Sequence, residues 1–123
     1  MKIAIASDHG GLNMKTAVAQ YLENMGFLVS DLGTNSTESV DYPDYADKMA
    51  AHILAKESDF GILICGTGVG ISIAANRHKG IRAALIYNEF VAQMAKAHNN
   101  ANVIVFGGRT MDIEDVKNIA KFS

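Results

Sequence analysis

The sequence is poor in several features that would place it in a particular class. It has one cysteine in 123 residues, which excludes an intramolecular disulfide. A reducing cytoplasm is the expected compartment, because it also keeps a working thiol reduced. It has one proline, and no linker, internal repeat or low-complexity stretch interrupts it, so an ordered chain is expected. Basic excess is absent too: 11 Lys and Arg stand against 13 Asp and Glu, for a net charge of −2. Apart from Arg77-His78-Lys79 the basic residues are scattered, so a nucleic-acid surface is not expected. No apolar run approaches the ~18 residues of a membrane span. At the N-terminus Asp8 and the glycines after it come too soon for a signal peptide. His9, His52, His78 and His98 have no i,i+4 spacing and no cysteine partner, so no metal site is expected.

What is present is a chain that is 49% hydrophobic, long enough for one core and too short for two. A single domain over residues 1–123 is therefore expected. Five short apolar runs read as buried strands: Lys2–Ala6, Phe27–Asp31, Phe60–Cys65, Arg82–Ile86 and Val103–Phe106. They are continuous rather than alternating, which suits parallel strands covered on both faces. Helical patterns fall between them, near Leu12–Met25, Pro43–Ala55, Val69–His78, Glu89–Ala97 and Asp112–Phe122. In the first, Leu12, Lys15, Val18, Ala19 and Leu22 share a mostly apolar face, and Gly26 follows as a C-terminal stop. Pro43 suits a first helical turn, where its missing N–H costs nothing.

Such β–α alternation predicts a three-layer α/β sandwich on a five-stranded parallel sheet, Rossmann-like, with the flavodoxin-like order 2-1-3-4-5. Ligands in that order bind at the carboxyl ends of the first and third strands, where the topology switches direction. Ser7-Asp8-His9-Gly10-Gly11 ends the first strand and Cys65-Gly66-Thr67-Gly68 ends the third. The two most polar, glycine-punctuated junctions thus meet at the predicted site, with Tyr42 closing a polar loop beside it.

The glycine-rich turn offers unpaired N–H groups and the positive end of a helix, so it can hold a phosphate or an enolate-like oxygen. It is not a dinucleotide fingerprint, because Ile71 stands where the last glycine of G-x-G-x-x-G belongs. It is not a P-loop either, because no lysine lies between Phe60 and Asn76. A tight helix-on-strand contact is the plain alternative for its glycines. A buried cysteine is usually inert, but at a strand end beside a helix N-terminus the thiolate is favoured and can act as a base. Asp8 could equally cap the next helix. A phosphorylatable signalling domain would need an acceptor aspartate where Cys65 stands and a lysine where Gly107 stands. A non-catalytic phosphate- or nucleotide-binding module stays open on these residues alone.

Six separated motifs narrow the choice. Ser7-Asp8-His9-Gly10-Gly11, Asp41-Tyr42-Pro43, Cys65 to Asn76, Gly80-Ile-Arg-Ala83, His98-Asn99-Asn100-Ala-Asn102-Val and Phe106-Gly-Gly-Arg109 resemble the ribose-5-phosphate isomerase B family, which includes galactose-6-phosphate isomerase subunits. The resemblance runs from Met1 to about Lys121. It implies reversible interconversion of ribose 5-phosphate and ribulose 5-phosphate in the pentose phosphate pathway, with galactose 6-phosphate or allose 6-phosphate as alternative substrates. It implies no cofactor and no metal. It places the proton-moving base on Cys65, the anion hole for an enediolate on the N–H groups of Gly66, Thr67, Gly68, Val69 and Gly70, and the orientation of hydroxyls on Thr67. Ring opening falls on His98 with Asp8 assisting. Substrate contacts fall on Asp8, His9, Asn99 and Arg109, with Tyr42 as a wall.

The helix before His98 runs antiparallel to the strands, so its end lies at the opposite edge from Cys65. His98 and Asn99 are therefore expected to enter the site of a second copy, giving a homodimer, or a tetramer of such dimers, with shared sites. The resemblance implies the same dimer. It also implies a further C-terminal segment whose arginines clamp the phosphate. This sequence lacks that segment, and weaker substrate binding than in a full-length relative is the expectation.

Overall fold

The apolar runs become the strands of one parallel sheet, and the computed structural model describes residues 1–120 of it and its helices. In chain order the elements are β1 (Lys2–Ser7), a 3-10 turn (His9–Gly11), α1 (Leu12–Asn24), β2 (Leu28–Asp31), α2 (Tyr42–Leu54), β3 (Phe60–Cys65), α3 (Val69–Asn76), β4 (Ala83–Leu85), α4 (Glu89–Ala97), β5 (Val103–Gly107) and α5 (Ile113–Ala120). The last two residues of the helix expected over 112–122 lie outside the described residues.

Period-two alternation sorts the inner strands onto two cores. Ile3, Ile5, Ile62, Ile64, Ile104 and Phe106 face α1, α4 and α5. Ala4, Ala6, Leu63, Cys65, Val103 and Val105 face α2 and α3. The expected α/β sandwich with helices on both faces is thus present. Its small residues at positions 4 and 6 leave room for the helix pair on that side.

Two expectations are corrected. The sheet order is β2-β1-β3-β5-β4, not 2-1-3-4-5. β5 is the longer and fully buried run, whereas β4 has three half-buried residues, so β5 takes the inner place beside β3 and β4 takes the edge. β2 is not covered on both faces either; three of its four residues are exposed, as suits the opposite edge. The local punctuation holds. Gly26 adopts φ +95 after α1, with Phe27 N donating to Leu22 O and Gly26 N to Glu23 O, a Schellman stop. Pro43 sits in the first turn of α2.

The register fixes what lies level with what. Ser7 pairs with Ile64, Cys65 with Gly107, and Leu85 with Val105. The carboxyl ends of β1, β3, β4 and β5 therefore share one edge. The chain reverses its direction of travel across the sheet between β1 and β3, and again between β4 and β5. This edge is where α/β sheets open a crevice for ligands.

Candidate active site

Cys65 ends β3 and is 5% exposed. The turn that follows bends back over it: Gly68 N–H donates to Cys65 Sγ at 3.1 Å. Gly68 can do so because it adopts φ +82, a left-handed conformation open to glycine. Thr67 Oγ1 accepts from Val69 N at 3.2 Å, which leaves its own O–H proton free to donate outward. Gly70 and Ile71 follow in the first turn of α3, where N–H groups have no intrahelical carbonyl to meet. Tyr42, first residue of α2, lies against Gly70; a β-carbon there would stand 2.7 Å from the phenol ring.

The β1 junction closes the other side. Asp8 is buried and N-caps the 3-10 turn, its Oδ1 accepting from Gly10 N at 2.9 Å. Its bland role as a cap is therefore real, and it leaves the second carboxylate oxygen for other partners. His9 Nδ1 accepts from Val40 N at 3.1 Å. In the neutral ring that bond puts the proton on Nε2, so His9 presents a donor.

Arg109 joins these two junctions. Gly108 N donates to Cys65 O at 2.7 Å and Arg109 N to Gly66 O at 2.8 Å, stitching the end of β5 to the turn after β3. The Arg109 side chain then runs across Gly66 and Gly10; β-carbons at those glycines would lie 3.4 Å from its Cδ and Cζ respectively. His9, Asn13, Thr37 and Arg109 line an open cavity of about 380 Å³ beside the junction.

Ten expected residues thus come together at the sheet edge: Asp8, His9, Tyr42, Cys65, Gly66, Thr67, Gly68, Val69, Gly70 and Arg109. Two do not. His98 caps the C-terminus of α4, just before β5 begins at Val103, which is level with Gly61 at the amino end of β3. Four residue steps along the strand separate Gly61 from Cys65, about 13 Å. His98 and Asn99 are exposed there.

Sequence reading missed two supports of this site. Tyr87 Oη donates to Thr67 O at 2.7 Å from the β4–α4 junction. Lys15, with a fully buried side chain, pairs with Asp31 Oδ2 at 2.5 Å and donates to Asn35 Oδ1 at 3.0 Å. The only available signal for Lys15 was a charged residue on an otherwise apolar helix face. Among the described residues no group of three or more His, Cys, Asp or Glu could hold a metal, and no helix is long and apolar enough to cross a membrane.

A doubly wound sheet with a thiol, a cradle of N–H groups and an arginine at its switch point defines an α/β protein that handles a small anionic molecule. The chain belongs to the Ribose/Galactose Isomerase family, whose model matches residues 3–122. It is similar to the ribose-5-phosphate isomerase B of Escherichia coli K12, 47% identical over 118 residues, covering 96% of this chain and 79% of that protein. Among solved structures, a ribose 5-phosphate isomerase of Thermotoga maritima is 54% identical with a TM-score of 0.96, covering 98% of this chain and 83% of that one. The ribose-5-phosphate isomerase B of Clostridium thermocellum is 48% identical with a TM-score of 0.97, covering 98% and 82%.

Proposed function

We propose that this protein interconverts ribose 5-phosphate and ribulose 5-phosphate, an aldose–ketose isomerisation without cofactor. The observation that carries the reading is the Gly68 N–H placed 3.1 Å from Cys65 Sγ inside a turn of further N–H groups. A backbone N–H so placed has no proton chemistry of its own, so it can face the sulfur through a proton transfer without competing for the proton.

The steps follow from the groups present. Arg109 grips the phosphate as a bidentate donor and His9 Nε2–H adds a neutral one, which anchors the far end of the sugar and sets its reacting carbons at the thiolate. With the sugar ring open, Cys65 Sγ takes the proton from C2. The C–H electron pair forms the C1–C2 double bond, and the carbonyl electrons move onto O1. That oxygen gains negative charge and meets the N–H groups of the Gly66–Gly70 turn other than those of Gly68 and Val69, which Cys65 Sγ and Thr67 Oγ1 engage. A proton passes from the C2 hydroxyl to O1, and Cys65 returns its proton to C1, leaving the ketose. Thr67 orients the hydroxyls and Tyr42 walls the site.

Ring opening needs an acid and base at the anomeric centre, and His98 with Asp8 fills that role only if His98 comes from another subunit. A homodimer with two shared sites is therefore part of the proposal. Its support is the distance between His98 and Cys65 within one chain, and the apolar surface near His98. A cavity of about 510 Å³ lies beside Asn99, lined by Ala83, Phe90, Val91 and Met94. Phe90 is 68% exposed in the single chain, as large an apolar side chain as a second copy would be expected to cover. A cytoplasmic enzyme is the matching location.

Incubation with ribose 5-phosphate, with ribulose 5-phosphate read as product, tests the reading. Allose 6-phosphate and galactose 6-phosphate run in parallel, the latter because the family includes galactose isomerases. Turnover is expected to be fastest on the pentose. Turnover confined to a hexose phosphate would reassign the substrate, and turnover of none would overturn the isomerase.

A further inference from the structure

We infer that Tyr87 is a positioning residue for the Cys65 sulfur, acting through the single peptide plane that joins Thr67 to Gly68. The carbonyl of Thr67 and the N–H of Gly68 belong to one planar trans peptide and point in opposite directions. Both ends are engaged: Tyr87 Oη donates to Thr67 O at 2.7 Å, and Gly68 N donates to Cys65 Sγ at 3.1 Å. Fixing the oxygen therefore aims the N–H.

The plane needs such a hold. Gly68, at φ +82, has access to both signs of φ, so the peptide before it is free to rotate where another residue's would not be. The fold makes room for the carbonyl and not for a substitute. A β-carbon at Gly107 would stand 2.7 Å from Thr67 O, so the bare glycine at the end of β5 is what lets the oxygen lie there. Tyr87 itself is pinned on both sides. β4 precedes it, and Asn88 after it N-caps α4, its side chain accepting from Val91 N at 2.9 Å. The phenol is thus delivered by a rigid strand–helix junction, while Tyr87 is 46% exposed and carries little of the core.

The effect on turnover rests on the reading of Cys65 as base; the effect on the sulfur does not. Cys65 is the only cysteine, so the ultraviolet absorbance of the thiolate reports this group alone. Tyr87→Phe keeps the ring and removes the donor. The fraction of Cys65 present as thiolate at a fixed near-neutral pH is expected to fall, and kcat on ribose 5-phosphate to fall by about five- to ten-fold, the scale of one hydrogen bond, with KM unchanged. A merely structural loss would instead raise KM or lower the melting temperature with the thiolate fraction intact, and that result overturns the inference. If the thiolate fraction falls while Cys65→Ala still turns over substrate, the positioning role stands and the assignment of Cys65 as base fails.

Discussion

At the scale of single residues, the proposed mechanism depends on a thiol in surroundings that ordinarily leave one inert. Cys65 lies among Leu63, Val105 and Ile71 on the α2–α3 side of the sheet, surroundings in which a cysteine is ordinarily a small hydrophobe. What distinguishes it is its place at the last position of β3, where the chain leaves the sheet and a backbone donor reaches the sulfur. Cys65→Ala removes the proton acceptor and only one heavy atom. Turnover is expected to fall by about 10²–10⁴-fold, the usual contribution of general base catalysis, while the melting temperature moves little. Retention of full activity, measured on the purified variant, would take Cys65 out of the mechanism. This residue and its turn were legible in the sequence because strand-end glycines and polar residues have few other uses in a parallel sheet. Tyr87 was not. Its partner lies 20 residues away, and nothing in Ile86-Tyr87-Asn88 distinguishes a phenol that donates inward from one that faces water.

At the scale of elements, the loop from β2 to α2 is held by a charge the sequence pattern concealed. Lys15 belongs to the buried face of α1, and its Nζ reaches across to Asp31 at the end of β2 and to Asn35 beyond it. Asp31 Oδ1 also accepts from Gly33 N at 2.8 Å, and Gly33 O accepts from Ser7 N at 2.7 Å. Thr34 N returns a bond to Ser7 O at 2.8 Å. The same loop ends at Val40, whose N–H fixes the His9 tautomer. One ammonium thus ties α1, β2 and the loop to the residue just before Asp8. Replacing it with Met keeps the buried volume and leaves Asp31, with a side chain 38% exposed, able to recover water. The cost is therefore set below that of a fully buried broken pair, at about 1.5–3 kcal/mol, the range for hydrogen bonds to charged groups. Lys15→Met is expected to melt earlier and to raise KM, since the slackened loop frees His9 from its donor geometry. An unchanged KM with a lowered melting point would confine Lys15 to stability. Element type and boundaries were readable from apolar runs and from Gly26 and Pro43. The β5–β4 exchange was not, because a buried run declares that it is covered and not which neighbour covers it. Only the difference in length and burial between Val103–Gly107 and Ala83–Leu85 decides which takes the edge.

At the scale of the whole molecule, the topology separates two groups that the proposed chemistry needs together. An antiparallel helix must end at the edge of the sheet opposite to the strand it follows, so His98 and Cys65 cannot be neighbours in one chain of this fold. Asn100, in the left-handed conformation at φ +51, turns the backbone directly after His98 and Asn99 and leaves both on the surface. Asn99 O is held by Arg82 Nε at 2.7 Å, so this corner is ordered while its side chains face outward. Two-fold pairing would carry the corner of each copy to the strand-end site of the other. Complementation between inactive variants separates the shared site from a self-contained one. In a heterodimer of Cys65→Ala with His98→Asn, one site combines both lesions and the other combines the intact Cys65 of one chain with the intact His98 of its partner. Subunits unfolded, mixed in equal amounts and refolded give half heterodimers with one working site in two, so about one quarter of wild-type activity is expected to return. If His98 served the site of its own chain, every site in the mixture would carry one lesion or the other, and refolding would restore nothing.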